Sequence, residues 1–372
     1  MMRKFIVILY MVSFMLAFPI YANAGGGLPS PSSTTDFTIS DFVVFGKNSV
    51  VIDQNVDVTG GTVSTTSGPL VGSNGDVTLW QGVQSHGVVG GDDLVIGSDD
   101  VDVYGDVVFN GDVQVYQDSQ IHGDVDAGGN VNTGSNDYFG GDITADGTIT
   151  LGTLTSVVGA VTPNGNPDTY SPVALLPETS FSAGTLSSQD RNITGFNASL
   201  NLAPGTYRDV SFNRPNATLN LTSGTYYLRN LTMPVDSIIN INLSGGDFKL
   251  YVLQDISLNH DVNMFLVNGT ADDVYIEVAH NWFSGERDTF YGTVFAHNDI
   301  TVNASSHVTG ALYSEHNIFI GRDSVINCDV YNNDDDCNGP DVVTPSEVPE
   351  PATMVLLGSG LLGALGFRRK KV

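Results

Sequence analysis

Three sets of residues carry side chains able to do chemistry, at spacings that would bring them together. His86, Tyr104 and His122 recur at 18-residue intervals, and a repeating backbone would stack them in one column, where an imidazole could act as a general base. An exposed polar column is the alternative. His297, Asp299, Glu315 and His316 are offset by 18 residues in the same way. Stacking would bring His297 near Glu315 and Asp299 near Asn317, and histidine with carboxylates suits zinc; a solvated ladder of turns is the alternative. Asp329, Asp334, Asp335 and Asp336 lie with Asn332, Asn333 and Asn338 around the Cys328–Cys337 loop. Hard oxygen ligands suit calcium, although Cys337 stands where the turn glycine of an EF-hand would be, and a solvated acidic loop is the alternative.

No pattern groups these residues into a catalytic set, so no catalytic residue, enzymatic activity or cofactor is expected, calcium aside. A polysaccharide lyase or hydrolase would need carboxylates with Arg or Lys in one groove. The few basic residues that could serve, Arg191, Arg208, Arg214, Arg229, Lys249, Arg287 and Arg322, are scattered. The two cysteines, with no histidine near them in sequence, read as a disulfide worth about 2–3 kcal/mol, which an oxidising compartment permits.

The column spacing depends on the elements beneath it. Val or Ile recurs every six residues at Val71, Val77, Val83, Val89, Val95, Val101, Val107 and Val113, then at Val125, Val131, Ile143 and Ile149. Ser119 and Asp137 interrupt the series. Gly often stands two positions earlier, followed by Asp or Asn. A period of six marks a β-helix. Each hexad gives one short strand with alternate side chains inward, so Val107 points in and Val108 out. Three hexads make one coil of about 18 residues, whose apolar ladder is buried only by the coils above and below. A β-sandwich has no reason to keep six-residue phase.

Four prolines between Thr155 and Thr179 break the rhythm. Strands then resume, with Pro204-Gly205-Thr206-Tyr207 echoed by Ser223-Gly224-Thr225-Tyr226, and Gly292–Ile300 by Gly310–Ile318. The expected fold is all-β, a parallel β-helix with a signal peptide and a C-terminal transmembrane helix. Its divisions are a signal peptide (1–24), a hexapeptide-like β-helix (25–154), a Pro-rich linker or loop (155–180), a less regular β-helix (181–331), an acidic linker (332–347) and a tail (348–372).

The ends say where the chain goes. Arg3 and Lys4 precede an uncharged run from Phe5 to Phe18, Pro19, and Ala22-Asn23-Ala24. These are the charged, apolar and cleavage regions of a signal peptide, with signal peptidase cutting after Ala24. At the other end, Val348-Pro349-Glu350-Pro351 precedes sixteen uncharged residues, Ala352 to Phe367, and then Arg368-Arg369-Lys370-Lys371. Sixteen residues span about 24 Å as a helix, a marginal crossing of a core about 30 Å thick. The basic cluster should stay cytoplasmic, leaving the body outside. Two of the 14 basic residues fall in the leader and four in the tail, so 8 remain against 41 acidic residues, a balance near −33. From Asn48 to Asp190 there is no Lys or Arg. Such a body repels nucleic acid and anionic lipid.

The Val348–Pro351 motif, the Gly-rich apolar helix and the terminal Arg/Lys cluster together resemble the PEP-CTERM sorting signal. The resemblance implies an exported protein of a Gram-negative bacterium, anchored transiently, whose tail is removed by the membrane protease exosortase, with exopolysaccharide as a partner at the cell surface or in the matrix. The Gly105-Asp106-Val107, Gly123-Asp124-Val125 and Gly141-Asp142-Ile143 punctuation resembles bactofilins and hexapeptide-repeat acyltransferases; enzymes of the latter kind use a His base and basic residues for the acyl donor, which this stretch lacks. The segments at Gly292–Ala296 and Gly310–Tyr313 loosely resemble ice-binding-protein-like β-helices, without a regular Thr row. The expected function is that of a non-enzymatic surface or biofilm-matrix protein. A polysaccharide- or surface-binding adhesin and a β-helix lyase or hydrolase are the alternatives.

Overall fold

The computed structural model describes residues 34–35, 37–59, 70–175, 186 and 190–327. Within them the chain is a parallel β-helix with three faces. Two faces are thirteen-stranded sheets, and the third is a five-stranded and a seven-stranded sheet. Asp57 bridges the last two, pairing with both Gln84 and Val325. Among the described residues, helix is limited to two single turns, Ile39–Asp41 and Ala271–Asp273.

The order of the coils is not the order of the chain. Phe42–Gly46 and Ser49–Ile52 form the middle coil. Residues 70 to 163 stack from it in one direction. The chain re-enters at the opposite end with Arg191–Ile193 and winds back until Leu312–Ser314 and Asn317–Ile320 pair with the other side of the middle coil. The two β-helix regions expected from sequence are therefore one stack with one continuous core. The boundary at 154/155 also moves, because Ser156–Val157 and Val161–Pro163 pair with Tyr138–Phe139 and Ile143–Ala145. Proline is tolerated there because Val161–Pro163 is an edge strand, whose outer N–H groups have no ladder to complete.

The Gly-Asp punctuation has a steric cause. Asp106 Oδ1 accepts the backbone N–H of Asp124 at 2.9 Å, and Asp124 Oδ1 accepts that of Asp142 at 2.7 Å. The residue before each donor must leave room for the carboxylate. A Cβ on Gly123 would lie 2.3 Å from Asp106 Oδ1, and one on Gly141 2.2 Å from Asp124 Oδ1. Glycine is required for space, and aspartate to satisfy an amide of the next coil.

A second device is one left-handed corner residue per coil between the second and third faces. The column runs Asn197, Asn216, Asp236, Asp261, Arg287, Ser305 and Asp323, crosses to Asn55, and continues through Gly82, Asp100, Asp118 and Asn136 to Leu154, all at positive φ. Asn, Asp and Gly dominate because they enter this region most easily.

Strict six-residue counting fails at one place. Val88 and Leu94, not Val89 and Val95, take the inner ladder positions, pairing with Val107 and Val113. The turn between Ser85 and Val88 is one residue short. The corner after Ile96 is one residue long, with both Asp99 and Asp100 left-handed, so the phase is restored by Val101.

After Pro163 the chain folds back over the outside of the first face as a strap. Asn110 and Asn74 receive it like strand edges. Asn110 exchanges two hydrogen bonds with the Tyr170 backbone, both at 3.0 Å. Asn74 does the same with Val173, at 2.9 and 2.8 Å. Thr169–Tyr170 also pairs with Thr34–Thr35. Tyr170 and Val173 join a second apolar cluster with Phe45, Val89, Val108 and Tyr313. Val108 thus points away from the core, as alternation requires, yet is only 6% exposed.

Candidate functional site

The His86 column forms, running from a buried His86 through a half-buried Tyr104 to an exposed His122. The shortened turn draws His86 inside, 2% exposed, with Nε2 3.0 Å from the Thr59 carbonyl oxygen. Its ring lies 6.4 Å from Tyr104, which stacks on His122 at 5.4 Å. Tyr104 keeps the imidazoles apart. Burial, and then the Asp102 and Asp57 carboxylates, push its phenol above the ordinary tyrosine range. The column fills a corner and presents no paired base.

The second set assembles further than sequence indicated. His297 Nδ1 lies 2.9 Å from Glu315 Oε2, and Asn317 donates its side-chain amide to Asp299 Oδ1 at 2.9 Å. His316 does not join; its backbone N–H bonds to Ser314 Oγ. The residue that sequence reasoning missed is Glu277. It is fully buried, accepts the Tyr275 hydroxyl at 3.0 Å and lies 2.9 Å from His297 Nε2. In the register Glu277 occupies an outward row that Phe295 and Tyr313 hold in the next two coils. The hydrogen bond to Glu277, and then the bond and charge of Glu315, raise the His297 pKa against the effect of its burial. With both ring nitrogens engaged, His297 has no lone pair for a metal, and among the described residues no cluster of ligands has a metal-holding arrangement.

Other acids are likewise committed. Asp76, Asp93 and Asp112 each accept a backbone N–H from the next coil, at 2.6–3.1 Å, and the amide of Asn130 does the same for Thr148. The basic residues pair elsewhere: Arg208 with Asp190, Arg229 with Asp209, Arg287 with Asp261, and Arg322 with Asp323. The structure does not bring Arg together with the Glu277–His297–Glu315 cluster.

One edge is more open. Trp80 is 44% and Tyr116 50% exposed, two coils apart, with Gly97 between them close against the indole. A shallow groove beside them is lined by Gln81, Asp99, Asp118, Gln120 and Asn136.

Ala22 and Ala24, Cys328 and Cys337, Asp329 and Asp334–Asp336, the Val348–Pro351 motif and the Arg368–Lys371 cluster all lie outside the described residues.

The fold is thus a parallel β-helix rod whose polar residues largely hold its own coils. Residues 347–370 carry the PEP-CTERM protein-sorting motif. That motif implies an exported protein, transiently anchored in the membrane, processed by exosortase and destined for the cell surface. No curated protein matches the chain. Among solved structures it is similar to an ice binding protein from an Antarctic Biological Consortium, at 13% identity and a TM-score of 0.34 over 80% of this chain and 95% of that one. An ice binding protein from an Antarctic bacterium of the Flavobacteriaceae aligns at 14% identity and a TM-score of 0.27, over 77% and 96%.

Proposed function

We propose that this protein is a non-enzymatic rod of the cell surface or exopolysaccharide matrix of a Gram-negative bacterium. It leaves the cytoplasm by its signal peptide, is held by the apolar segment 352–367 and is released when exosortase removes the tail. The observation that carries the body's role is the commitment of its acids. Carboxylates such as Asp93, Asp106, Asp112, Asp124 and Asp142 bind backbone amides of neighbouring coils, and His297 is closed between two glutamates. These groups serve the stacking of the coils; the exposed His260–Asp261 pair, 2.7 Å apart, is held by Arg287. The test is to follow tagged protein in cells with and without exosortase, and to assay the exported form on acidic and neutral polysaccharides. Retention in the matrix without turnover is expected. Chain cleavage of any polysaccharide, or a C-terminus kept in the membrane of exosortase-positive cells, overturns the proposal.

A polysaccharide-binding role is favoured by one feature, the Trp80–Tyr116 edge. Aromatic faces about 10 Å apart along the coil axis, beside amide and carboxylate acceptors, suit sugar rings that stack and donate hydroxyls. The acidic surroundings favour a neutral polymer. Trp80→Ala with Tyr116→Ala should abolish retention on neutral polysaccharide; unchanged retention removes this role.

A further inference from the structure

The two ends of the rod carry an inference beyond export and sugar binding. At one end Ile149–Thr150, Ser156–Val157 and Val161–Pro163 pair on one side only among the described residues. The strap does not cover this end, because it runs down the first face toward Asn110 and Asn74. Ladder residues that are sealed one coil earlier are open here. Ile143 is fully buried, whereas Val161, its partner in register, is 40% exposed. Val158 is 67% and Leu154 83% exposed. At the other end Arg191–Ile193, Ser199–Asn201 and Gly205–Thr206 also pair on one side only among the described residues, and Phe196 is 66% exposed.

Exposed strand edges pair with other chains, and natural sheets block them with charge or a cap; solenoids usually end in a polar capping repeat. Here Pro163 stands on one edge and Arg191 on the other, and the rest of both ends is left uncharged. No charged residue occurs from Gly147 to Pro167, nor from Asn192 to Tyr207, in a sequence with 41 acidic residues. Leu154 is the sharpest departure. It holds the left-handed corner, φ 65°, that Asp118 and Asn136 hold in the two coils before it. A leucine is strained there and exposed as well, so it serves neither the coil nor solubility.

We infer that the rods join head to tail, the Leu154 end of one copy docking on the Phe196 end of the next. The partner is a second copy because its opposite end offers what this end lacks, three parallel strands on the same three faces with the complementary edge free. Joining opposite ends continues every sheet in parallel, whereas joining like ends by a two-fold axis reverses the strands. Such a contact is heterologous and does not close, so it gives filaments. The ends also differ in charge. Around the Phe196 end Arg208 and Arg229 are paired with Asp190 and Asp209, which leaves Arg191 and Arg214 in excess, while the coils behind Leu154 carry Asp118, Asp124, Asp137 and Asp142 and no basic residue.

The test uses the exported protein from culture medium and the full chain in detergent, followed by sedimentation and electron microscopy over a concentration series. Wild type should form rods in whole-number multiples of one length. Leu154→Asn with Val158→Lys, and separately Phe196→Asp, should each be monomeric. Mixed one to one, they should give a heterodimer and nothing longer, since each keeps one competent end. Phe283→Lys, on a side face, should assemble as wild type. Leu154→Asn alone restores the corner residue, so it should melt no lower than wild type while assembling less, which separates docking from folding. Wild type that stays monomeric to its solubility limit overturns the inference. So does a Phe196→Asp protein that still self-associates, which would mean that like ends meet, and so does a monomeric Phe283→Lys.

Discussion

Asn55 donates its side-chain amide to Asp323 Oδ1 at 3.0 Å, across 268 positions of sequence. The bond ties the middle coil to the last coil of the second half. It sits beside the strand pairing of Ser49–Ile52 with Asn317–Ile320, and the buried Tyr313 hydroxyl donates to the Phe42 carbonyl at 2.9 Å on the next face. The halves should therefore unfold together. Trp80 and Trp282 report one half each, so Trp80→Phe and Trp282→Phe should give denaturation curves that coincide with each protein's own circular dichroism. Tyr313→Phe strands a buried carbonyl and should cost about 1–2 kcal/mol, shifting both reporters equally. Two separated transitions would show that the seam does not couple the halves.

The phase slip can be tested by paired charges. Leu94 is buried in the core, and Val95 points outward. Leu94→Asp should cost at least about 3 kcal/mol, and Val95→Asp less than about 1 kcal/mol. Six-residue counting requires the opposite. Val107→Asp should be as severe as Leu94→Asp. Val108→Asp should fall between the extremes, near about 2 kcal/mol, because the strap and not the core covers it. Urea denaturation of the four proteins decides the order.

These positions show what sequence could carry. The inward ladder was legible because burial on one face forces alternation, and three hexads close a coil. The stacking of His297 on Glu315 followed from an 18-residue offset that both coils keep. The middle-coil topology was not legible, because the apolar pattern of Phe42–Ile52 states that its strands are buried and not which coils bury them. The slip at Ser85–Val88 was hidden by adjacent valines, since Val88 and Val89 fit either phase. Glu277 was hidden for a related reason. Its partners Tyr275 and His297 lie 2 and 20 residues away, and the intervals change where coils lengthen beyond 18. The strap's role was obscured by its prolines, which mark irregular backbone but do not say that Asn74 and Asn110 will pair with it.

Asp126 lies under that strap, accepting the Asp168 N–H at 3.1 Å. Burial, with a smaller contribution from the carboxylates of Asp168, Asp124 and Asp106, pushes its pKa up to about 6. A carboxyl raised in the folded state binds its proton more tightly there than in the unfolded chain. Its stabilising contribution is complete below the unfolded value of 3.8 and is lost as pH rises through about 6. Asp126→Asn can keep the bond from Asp168 without the charge. It should be more stable than wild type by about 1 kcal/mol near pH 7, and the difference should vanish below about pH 4. A constant difference across that range would place the cause in packing.

His297 should give pH dependence in the next window up. Its ring is 26% exposed and held between Glu277 and Glu315, which raise its pKa in the folded state. The unfolded histidine titrates near 6.5. The folded protein therefore holds this proton more tightly, and the linked stability is complete below about pH 6.5 and lost as pH rises through the higher folded value. His297→Gln should remove that slope, leaving a flatter melting-temperature profile between about pH 6 and pH 9. His297→Ala takes away one of the two side chains that hold the buried Glu277 and should cost about 3 kcal/mol near pH 6, with a smaller penalty at high pH, where wild type has itself lost the charge. Glu315→Gln should be milder, because Glu315 is partly solvated and the Glu277 contact survives. If His297→Ala cost the same at both ends of the range, the imidazole would be acting as a neutral spacer between two coils, and the charged pair with Glu277 would be ruled out.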